Sequence, residues 1–121
     1  MVETEIYTLL TGNATVARKV NTRVYPVVMP QDPVFPAVTY QRVSGLKVNT
    51  LAGYSGLENP HIAINVWART YDEAKGIAKD IHTAMNGASA FKAILINDLD
   101  GYDPDINLYV VSQDYSCWDE V

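Results

Sequence analysis

The chain has 121 residues, of which 48% are apolar and 19% charged, and its formal net charge is −5 at pH 7. This size predicts one globular domain over residues 1–121, with a core that buries about two thirds of the unfolded surface. The acidic balance excludes a protein that binds nucleic acid through a basic field. Cys117 is the only cysteine, which excludes an internal disulfide and a cysteine-based metal centre.

The N-terminal sequence "MVETEIYTLL" carries acids where a secretion signal needs basic residues. Its apolar stretch is too short for such a signal, and nowhere does the chain approach the roughly 20 apolar residues that cross a bilayer. We therefore expect a soluble protein, made in the cytoplasm, that has no membrane partner.

The first elements are predicted to be helical. In "ETEIYTLLTG" the residues Ile6, Leu9 and Leu10 fall on one helical face, and Gly12-Asn13 provide a stop. One or two further helical turns are expected over "ATVARKV".

From Arg23 the chain is expected to be extended, because its prolines disfavour helix and cannot donate to a strand ladder. Four of the six prolines stand in "YPVVMPQDPVFPAVTYQRVSG", residues 25–45. We interpret them as a rigid entry to the following strand, which discourages unwanted edge pairing and presents Gln31 and Asp32 at a fixed place on the surface.

The next stretches alternate between apolar and polar residues. In "PAVTYQRVSG", Val38 and Tyr40 share one face. Thr39 and Gln41 share the other, which predicts a half-buried strand of an antiparallel sheet. The stretch "GLKVNTLAGYSGLENP" is either a short strand followed by a loop or a projecting hairpin. "HIAINVWART" alternates cleanly and is predicted to be a strand.

A capping box introduces the longest predicted helix. Thr70 and Glu73 have the S/T-x-x-E spacing, and apolar residues follow at helical intervals, which predicts an amphipathic helix over residues 71–86. Asn86-Gly87 supply its C-terminal stop. "FKAILIND" and "NLYVVSQDYSCW" are then predicted to be two strands joined by "LDGYDPDI".

This order of elements predicts the α+β class. We expect an antiparallel or mixed sheet of four to five strands, with a short N-terminal helix and one long amphipathic helix packed on one face.

The densest group of possible metal ligands is acidic, and its members are Asp98, Asp100, Asp103 and Asp105. Closely spaced carboxylates suit a hard cation such as calcium. However, Gly101 comes too early for the EF-hand pattern, and no glutamate closes the loop at the required distance. A hairpin loop with solvated acids is the favoured interpretation.

The other chemically versatile side chains form no catalytic pattern. His61 and His82 have no histidine four residues away and no nearby cysteine to complete a ligand set. Ser55 in "GYSGL" lacks the glycine spacing of a nucleophile elbow. Cys117 has no basic neighbour to activate it, so a packed thiol is predicted. We predict no catalytic residue, no metal site and no cofactor.

Aromatic residues point instead to contacts with other proteins. The chain has eight tyrosines and two tryptophans, and Tyr, Trp and Arg are enriched at protein interfaces. The predicted interface residues are Gln31, Asp32, Leu51, Tyr54, Leu57, Trp67 and Arg69. The alternative, in which Trp67 packs beneath the first helix and Tyr54 is merely exposed, stays open.

The order of these segments resembles a known family. It is carried by "RVYPVVMPQDPVFPAVTYQRVSG", "LAGYSGL", "HIAINVWARTYDEAKGIAKDIHTAM", "FKAILIND" and "LYVVSQDYSCW". Together they look like the tail-completion family of long-tailed bacteriophages and prophages, which is related to tail terminators and head-to-tail joining proteins. The resemblance covers nearly the whole chain, and none of its elements is a catalytic fingerprint.

What the resemblance implies is structural and not enzymatic. Members of this family are similar to α+β subunits that assemble as rings on the head-proximal end of the tail tube. These rings are commonly hexameric. The implied partners are further copies of the chain, the tail-tube protein and the head connector. DNA would pass through the ring without being bound specifically, and an acidic lumen would repel its phosphates. The implied location is the virion, at the head-tail interface.

Two hypotheses of different classes follow. The first is a virion assembly protein that acts in tail completion or head-tail joining. The second is a small cytoplasmic metal-binding or hydrolytic domain that uses the acidic loop from Asp98 to Asp105.

Overall fold

The computed structural model describes residues 2–31, 34–50, 53–88 and 92–120, with side chains described outside 2–4, 44–60 and 119–120. In chain order, the elements are α1 (Val2–Gly12), α2 (Ala14–Val20), β1 (Val24–Pro26), β2 (Ala37–Thr50), β3 (Gly53–Ala68), α3 (Tyr71–Asn86), β4 (Lys92–Asp103) and β5 (Leu108–Glu120). The predicted α+β class is confirmed.

The five strands form one mixed sheet in the order β1-β2-β3-β5-β4. β1 runs parallel to β2, whereas the other neighbouring strands are antiparallel. Because β5 folds back between β3 and β4, the two edges of the sheet are β1 and β4.

The three helices of the described residues pack on one face of this sheet. Ile6 and Leu10 of α1 and Val16 and Val20 of α2 are fully buried in the same core cluster as α3. Every residue of the predicted apolar stripe of α3 is buried in this core cluster. They are Ala74, Ile77, Ala78, Ile81, Ala84 and Met85. The sheet contributes the residues whose side chains alternate toward the helices, among them Val38, Tyr40, Ile62, Ile64, Val66, Val111, Tyr115 and Cys117.

Local capping explains where the helices begin. The Oδ1 atom of Asn13 accepts from the backbone amides of Thr15 and Val16 at 3.0 and 3.1 Å, which starts α2 immediately after α1. The Oγ1 atom of Thr70 accepts from the amide of Glu73 at 3.2 Å, as the capping box predicts.

α3 ends at the predicted position. The backbone conformation of the glycine that follows it is not the one that usually ends a helix. Gly87 has a φ of −90° and not the left-handed value that glycine often supplies there. Its amide donates to the carbonyls of Thr83 and Ala84, both at 3.2 Å.

β2 and β3 form a long hairpin, which decides between the two alternatives for "GLKVNTLAGYSGLENP". The strands have 14 and 16 residues, beyond the usual length of about 3–10. They stay paired as far as Thr50 and Gly53, with bulges after Arg42 and after Val48. The last described pair between β3 and β5 is Leu57 with Glu120.

The prediction that "LDGYDPDI" connects two strands is wrong for the first half of this stretch, which belongs to β4. β4 continues to Asp103, and only residues 104–107 form the turn. Gly101 lies opposite Val110, and a Cβ atom added to it would be 3.1 Å from Val110 Cγ1, so glycine here permits a close approach of two strands. Asn107, with a φ of 54°, provides the left-handed residue of the turn.

Candidate interaction surface

Trp67 lies on the face of the sheet opposite the described helices. Its strand neighbours Val66 and Ala68 belong to the helix-covered core, and side chains alternate along a strand. The alternative in which Trp67 packs beneath the first helix is therefore wrong. The indole Nε1 donates to Thr39 Oγ1 at 3.3 Å, and the cross-strand neighbours of Trp67 are Ala37 and Val110.

A polar row crosses the middle of this open face. Thr39, Asn65 and Ser112 are successive cross-strand neighbours on β2, β3 and β5. Ser112 Oγ donates to Asn65 Oδ1 at 2.6 Å, and Thr39 is buried although it belongs to the polar side of the predicted half-buried strand. On β4 the row ends at Leu99, whose side chain is 63% exposed. The open face therefore changes from polar at its centre to apolar at the β4 edge.

Arg69 connects the end of β3 to the proline-rich segment. Its guanidinium carbon lies 5.8 Å from the centre of the Phe35 ring, within the range of a cation–π contact. Since Ala37 pairs with Trp67, the structure brings Trp67 and Arg69 close to the start of β2. These two predicted interface residues thus share one region.

The other predicted interface residues are not gathered there. Gln31 is exposed in the segment between β1 and β2. Asp32 and Leu51 lie outside the described residues, as do the side chains of Tyr54 and Leu57. Along β3, the backbone positions of Tyr54 and Trp67 are about 40 Å apart at the usual rise per residue.

The proline-rich segment contains a strained residue. The amide of Val27 donates to the Tyr40 carbonyl at 2.8 Å, and the amide of Val28 donates to the Pro26 carbonyl at 2.7 Å. The second bond closes a three-residue turn in which Val27 has a φ of 66°, a region that β-branched residues rarely adopt. The turn leaves Val27 and Val28 61% and 71% exposed. Strain of this kind is often kept at functional sites.

The β4 edge holds exposed apolar residues that the sequence did not single out. Ile94, Ile96 and Leu99 are each more than half exposed, and a bulge lies between Leu95 and Asn97. The run "AILI" is compatible with a strand buried on both sides. Its position at the edge of the sheet is what exposes it, so the only signal in the sequence was the number of apolar residues in that run.

Asp100 is engaged by the beginning of α3. Tyr71 Oη donates to Asp100 Oδ2 at 2.7 Å, and Lys75 Nζ lies 3.3 Å from Oδ1. The hydrogen bond from Tyr71, together with that from Lys75, lowers the pKa of Asp100 below its ordinary value. The same carboxylate raises the pKa of Tyr71 and of Lys75, in each case chiefly through the hydrogen bond.

The remaining acids of the predicted loop do not converge. Asp98 and Asp100 stand on β4, and Asp103 at its end accepts from the amide of Asp105 at 3.0 Å, which is a turn contact. Within the described part of the chain, no three His, Cys, Asp or Glu side chains are placed to hold a metal ion. The metal-binding hypothesis therefore has no site among these residues.

The described surface has clefts of about 200 and 400 Å³, and the larger of these two is lined by Lys19, Pro36, Asp72, Glu73 and Gly76. One of about 200 Å³ lies between α3 and the β4–β5 hairpin and is lined by Lys75, Lys79, His82, Leu95 and Asp98, among others. Ligand pockets usually measure about 300–1,000 Å³. His82 packs its ring 6.3 Å from that of Tyr115, and Cys117 is fully buried. None of the described helices combines the length and apolar character needed to span a membrane.

The described residues thus form a helix-covered sheet with exposed apolar side chains at both edges, a feature often found where proteins contact one another. The chain belongs to the family described as "Tail completion protein gp17", whose model matches residues 4–120. It is thus a structural protein of the bacteriophage virion, as the resemblance implied.

Comparison with solved structures agrees on the fold. A chain from the "Virion of native gene transfer agent (GTA) particle" superimposes with a TM-score of 0.73 at 18% sequence identity. The alignment covers 96% of this chain and 92% of the other. A search of curated protein sequences found no match.

Proposed function

We propose that the chain is a ring subunit that caps the head-proximal end of the tail tube and docks to the head connector. Membership of the tail completion family carries this proposal. The structural similarity to a chain of a gene transfer agent virion supports it, since that particle is an assembled virion. We further propose that residues 1–121 act as one domain in this role and that the role is not enzymatic.

The charge of the chain suits a ring through which DNA moves. A formal net charge of −5 provides no general attraction for phosphate, so a lumen made of such subunits would not retain the DNA. We propose contacts with partner proteins at Gln31, Asp32, Leu51, Tyr54, Leu57, Trp67 and Arg69.

Native mass spectrometry of the purified chain, alone and with its tail-tube protein, tests the proposal. We expect a closed oligomer on the tube, and commonly six copies. Electron microscopy of tails assembled without the chain should show tubes of uncontrolled length or tails that fail to join heads. Normal tails and normal joining in its absence would contradict the proposal.

A complementation assay tests the proposed contact residues. Tyr54→Ala and Leu57→Ala are expected to impair tail joining, whereas Asp105→Asn, at an exposed residue of the turn after β4, is expected to leave it intact. The opposite pattern would favour a role for the acidic residues.

A further inference from the structure

Exposed apolar side chains occur at both edges of the sheet. We define the β1-edge surface as Val27, Val28 and Val34, which are 61%, 71% and 62% exposed. The β4-edge surface is Ile94, Ile96 and Leu99, which are 53%, 52% and 63% exposed. Each cluster alone resembles a site of contact with another protein.

Val27 of the β1-edge surface lies at the same level of the sheet as the middle of the β4-edge surface. Val27 bonds to Tyr40, and from Tyr40 a row of cross-strand neighbours runs through Ile64 and Gln113 to Asp98. Asp98 stands between Ile96 and Leu99 in the sequence of β4. A copy placed beside another without a shift along the strands would therefore bring the two surfaces together.

When two copies are placed side by side without a shift along the strands, residues of opposite charge on the two edges also stand level. Arg23 immediately precedes Val24, and the row that starts at Val24 passes through β2, β3 and β5 to end at Asp100. The β4 end of the sheet also carries Asp98 and Asp103, which are on or near the surface. Arg23 thus stands level with Asp100, although the Arg23 guanidinium also donates to the Pro36 and Lys19 carbonyls. The Asp100 carboxylate also accepts from Tyr71 and lies beside Lys75 in its own subunit.

We propose that copies of this chain associate head to tail, with the β1-edge surface of one copy packed against the β4-edge surface of the next. This rests on the proposed ring, and it names the contact between neighbouring subunits. A head-to-tail contact uses two different surfaces and closes into a ring when the rotation between copies allows it.

A symmetric contact of β4 with β4 satisfies fewer of these features. It would gather the exposed Asp98 side chains of both copies in one interface, and like charges there are unfavourable. It would also leave Val27 and Val28 exposed. The bulge after Leu95 interrupts the edge at which the two strands would pair.

The contact is formed by side chains and not by a continuous added strand. On the β1 edge, Pro26 lacks an amide donor, and the turn at Val27 directs its amide to Tyr40. On the β4 edge the bulge breaks the regular ladder. The tail tube would then help to align the copies during assembly of the proposed ring.

Disulfide cross-linking between copies tests the contact. Two full-length variants, Val28→Cys and Leu99→Cys, are made on a Cys117→Ala background and mixed, at high protein concentration and again with tail tubes present. We expect the mixed disulfide to form roughly tenfold faster than either self-linked dimer, because the contact raises the local concentration of the two thiols. The matched control is Val43→Cys, at a residue that is 53% exposed but lies on an inner strand.

The outcomes separate the contact from the ring. Self-linking of Leu99→Cys in preference to the mixed product would show a symmetric contact and overturn the proposal. Equal rates for the Val28→Cys and Val43→Cys mixtures under both conditions would also overturn it. If cross-linking succeeds but the chain does not bind tail tubes, the head-to-tail contact stands and the proposed function fails. If cross-linking fails while the chain still completes tails, the proposed function stands and the head-to-tail contact is wrong.

Discussion

The indole nitrogen of Trp67 donates a hydrogen bond to Thr39 Oγ1 at 3.3 Å, on the face of the sheet opposite the described helices. This bond joins β3 to β2 at a point where Thr39 is buried. Trp67→Phe keeps an aromatic ring but removes the donor, so we expect a loss of about 0.5–1.5 kcal/mol in the free energy of unfolding. Thr39→Val removes the acceptor and should have a similar effect.

Urea denaturation of both single variants and the double variant measures the coupling between these two residues. If the bond contributes as stated, the double variant is less destabilised than the sum of the single effects. Additive effects would show that the two side chains act independently.

A second hydrogen-bonded pair lies inside the core. Tyr115 Oη donates to Gln113 Oε1 at 3.0 Å, and Gln113 Nε2 donates to the Ala78 carbonyl of α3 at 3.0 Å. Burial raises the pKa of the Tyr115 hydroxyl, which therefore stays protonated as the donor. Tyr115→Phe leaves the Gln113 oxygen without this donor, and we expect a cost of about 1–3 kcal/mol by thermal or urea unfolding. A cost near zero would contradict this account.

Gly76 and Gly101 make a matched pair for alanine substitution. Gly76 lies inside α3, and a Cβ atom there would meet only Lys19 Nζ at 3.7 Å, which is ordinary contact. Gly76→Ala is expected to stabilise the protein by about 0.5–1 kcal/mol, because glycine is a poor helix former. Gly101→Ala places its methyl group 3.1 Å from Val110 Cγ1 and should not stabilise. The two melting temperatures, measured side by side, check this difference.

The pair Tyr71 and Asp100 predicts a dependence of stability on pH. Because the pKa of Asp100 is lowered in the folded state, its contribution to stability is present above its unfolded pKa of about 4 and is lost as the pH falls through the folded value. Tyr71→Phe removes the main donor, so the pKa of Asp100 should rise. The stability difference between this variant and the parent should be largest near neutral pH and narrow below about pH 4.

An NMR titration of the Asp100 carboxyl carbon, with unfolding at two pH values, measures both effects. Lys75→Met should also raise the pKa of Asp100, since it removes both a hydrogen bond and a neighbouring positive charge. An unchanged Asp100 titration in Tyr71→Phe would contradict the assignment.

A substitution in the strained turn at Val27 is expected to affect the stability of the fold and the association between copies differently. Glycine adopts a φ of 66° without the steric cost that valine has there, so Val27→Gly should leave the free energy of unfolding unchanged or raise it slightly. The same change removes an exposed apolar side chain from the β1-edge surface and should weaken association between copies. Calorimetry and native mass spectrometry give the two readouts. A clear loss of stability would show that the valine side chain supports the fold itself.

Local patterns predicted the elements whose residues interact within one segment. The capping box at Thr70 and the apolar spacing behind it predicted α3 at the residues it occupies, because helix caps and faces depend on neighbours three or four positions away. The two N-terminal helices were anticipated for the same reason. Gly101 was misinterpreted as a turn residue, since the reason for a glycine there is Val110 on another strand.

The surface of the protein could be predicted only in part. Trp67 and Arg69 were expected at an interface by residue type, and the structure places them together beside the start of β2. The β4-edge surface was missed, because "AILI" has the same letters whether its strand is central or at an edge. The strain at Val27 was invisible too, since it depends on the bond from its amide to Tyr40.

The sequence by itself determined the α+β class, the three helices, most strand positions, and the resemblance that family membership confirms. These follow from short-range periodicity, caps and the order of segments along the chain. Only the tertiary structure decided that β5 lies inside the sheet, that β1 and β4 are its edges, and that Val27 stands level with the middle of the β4-edge surface. The physical reason is that strand order and register arise from hydrogen bonds between residues distant in sequence, which no local pattern encodes.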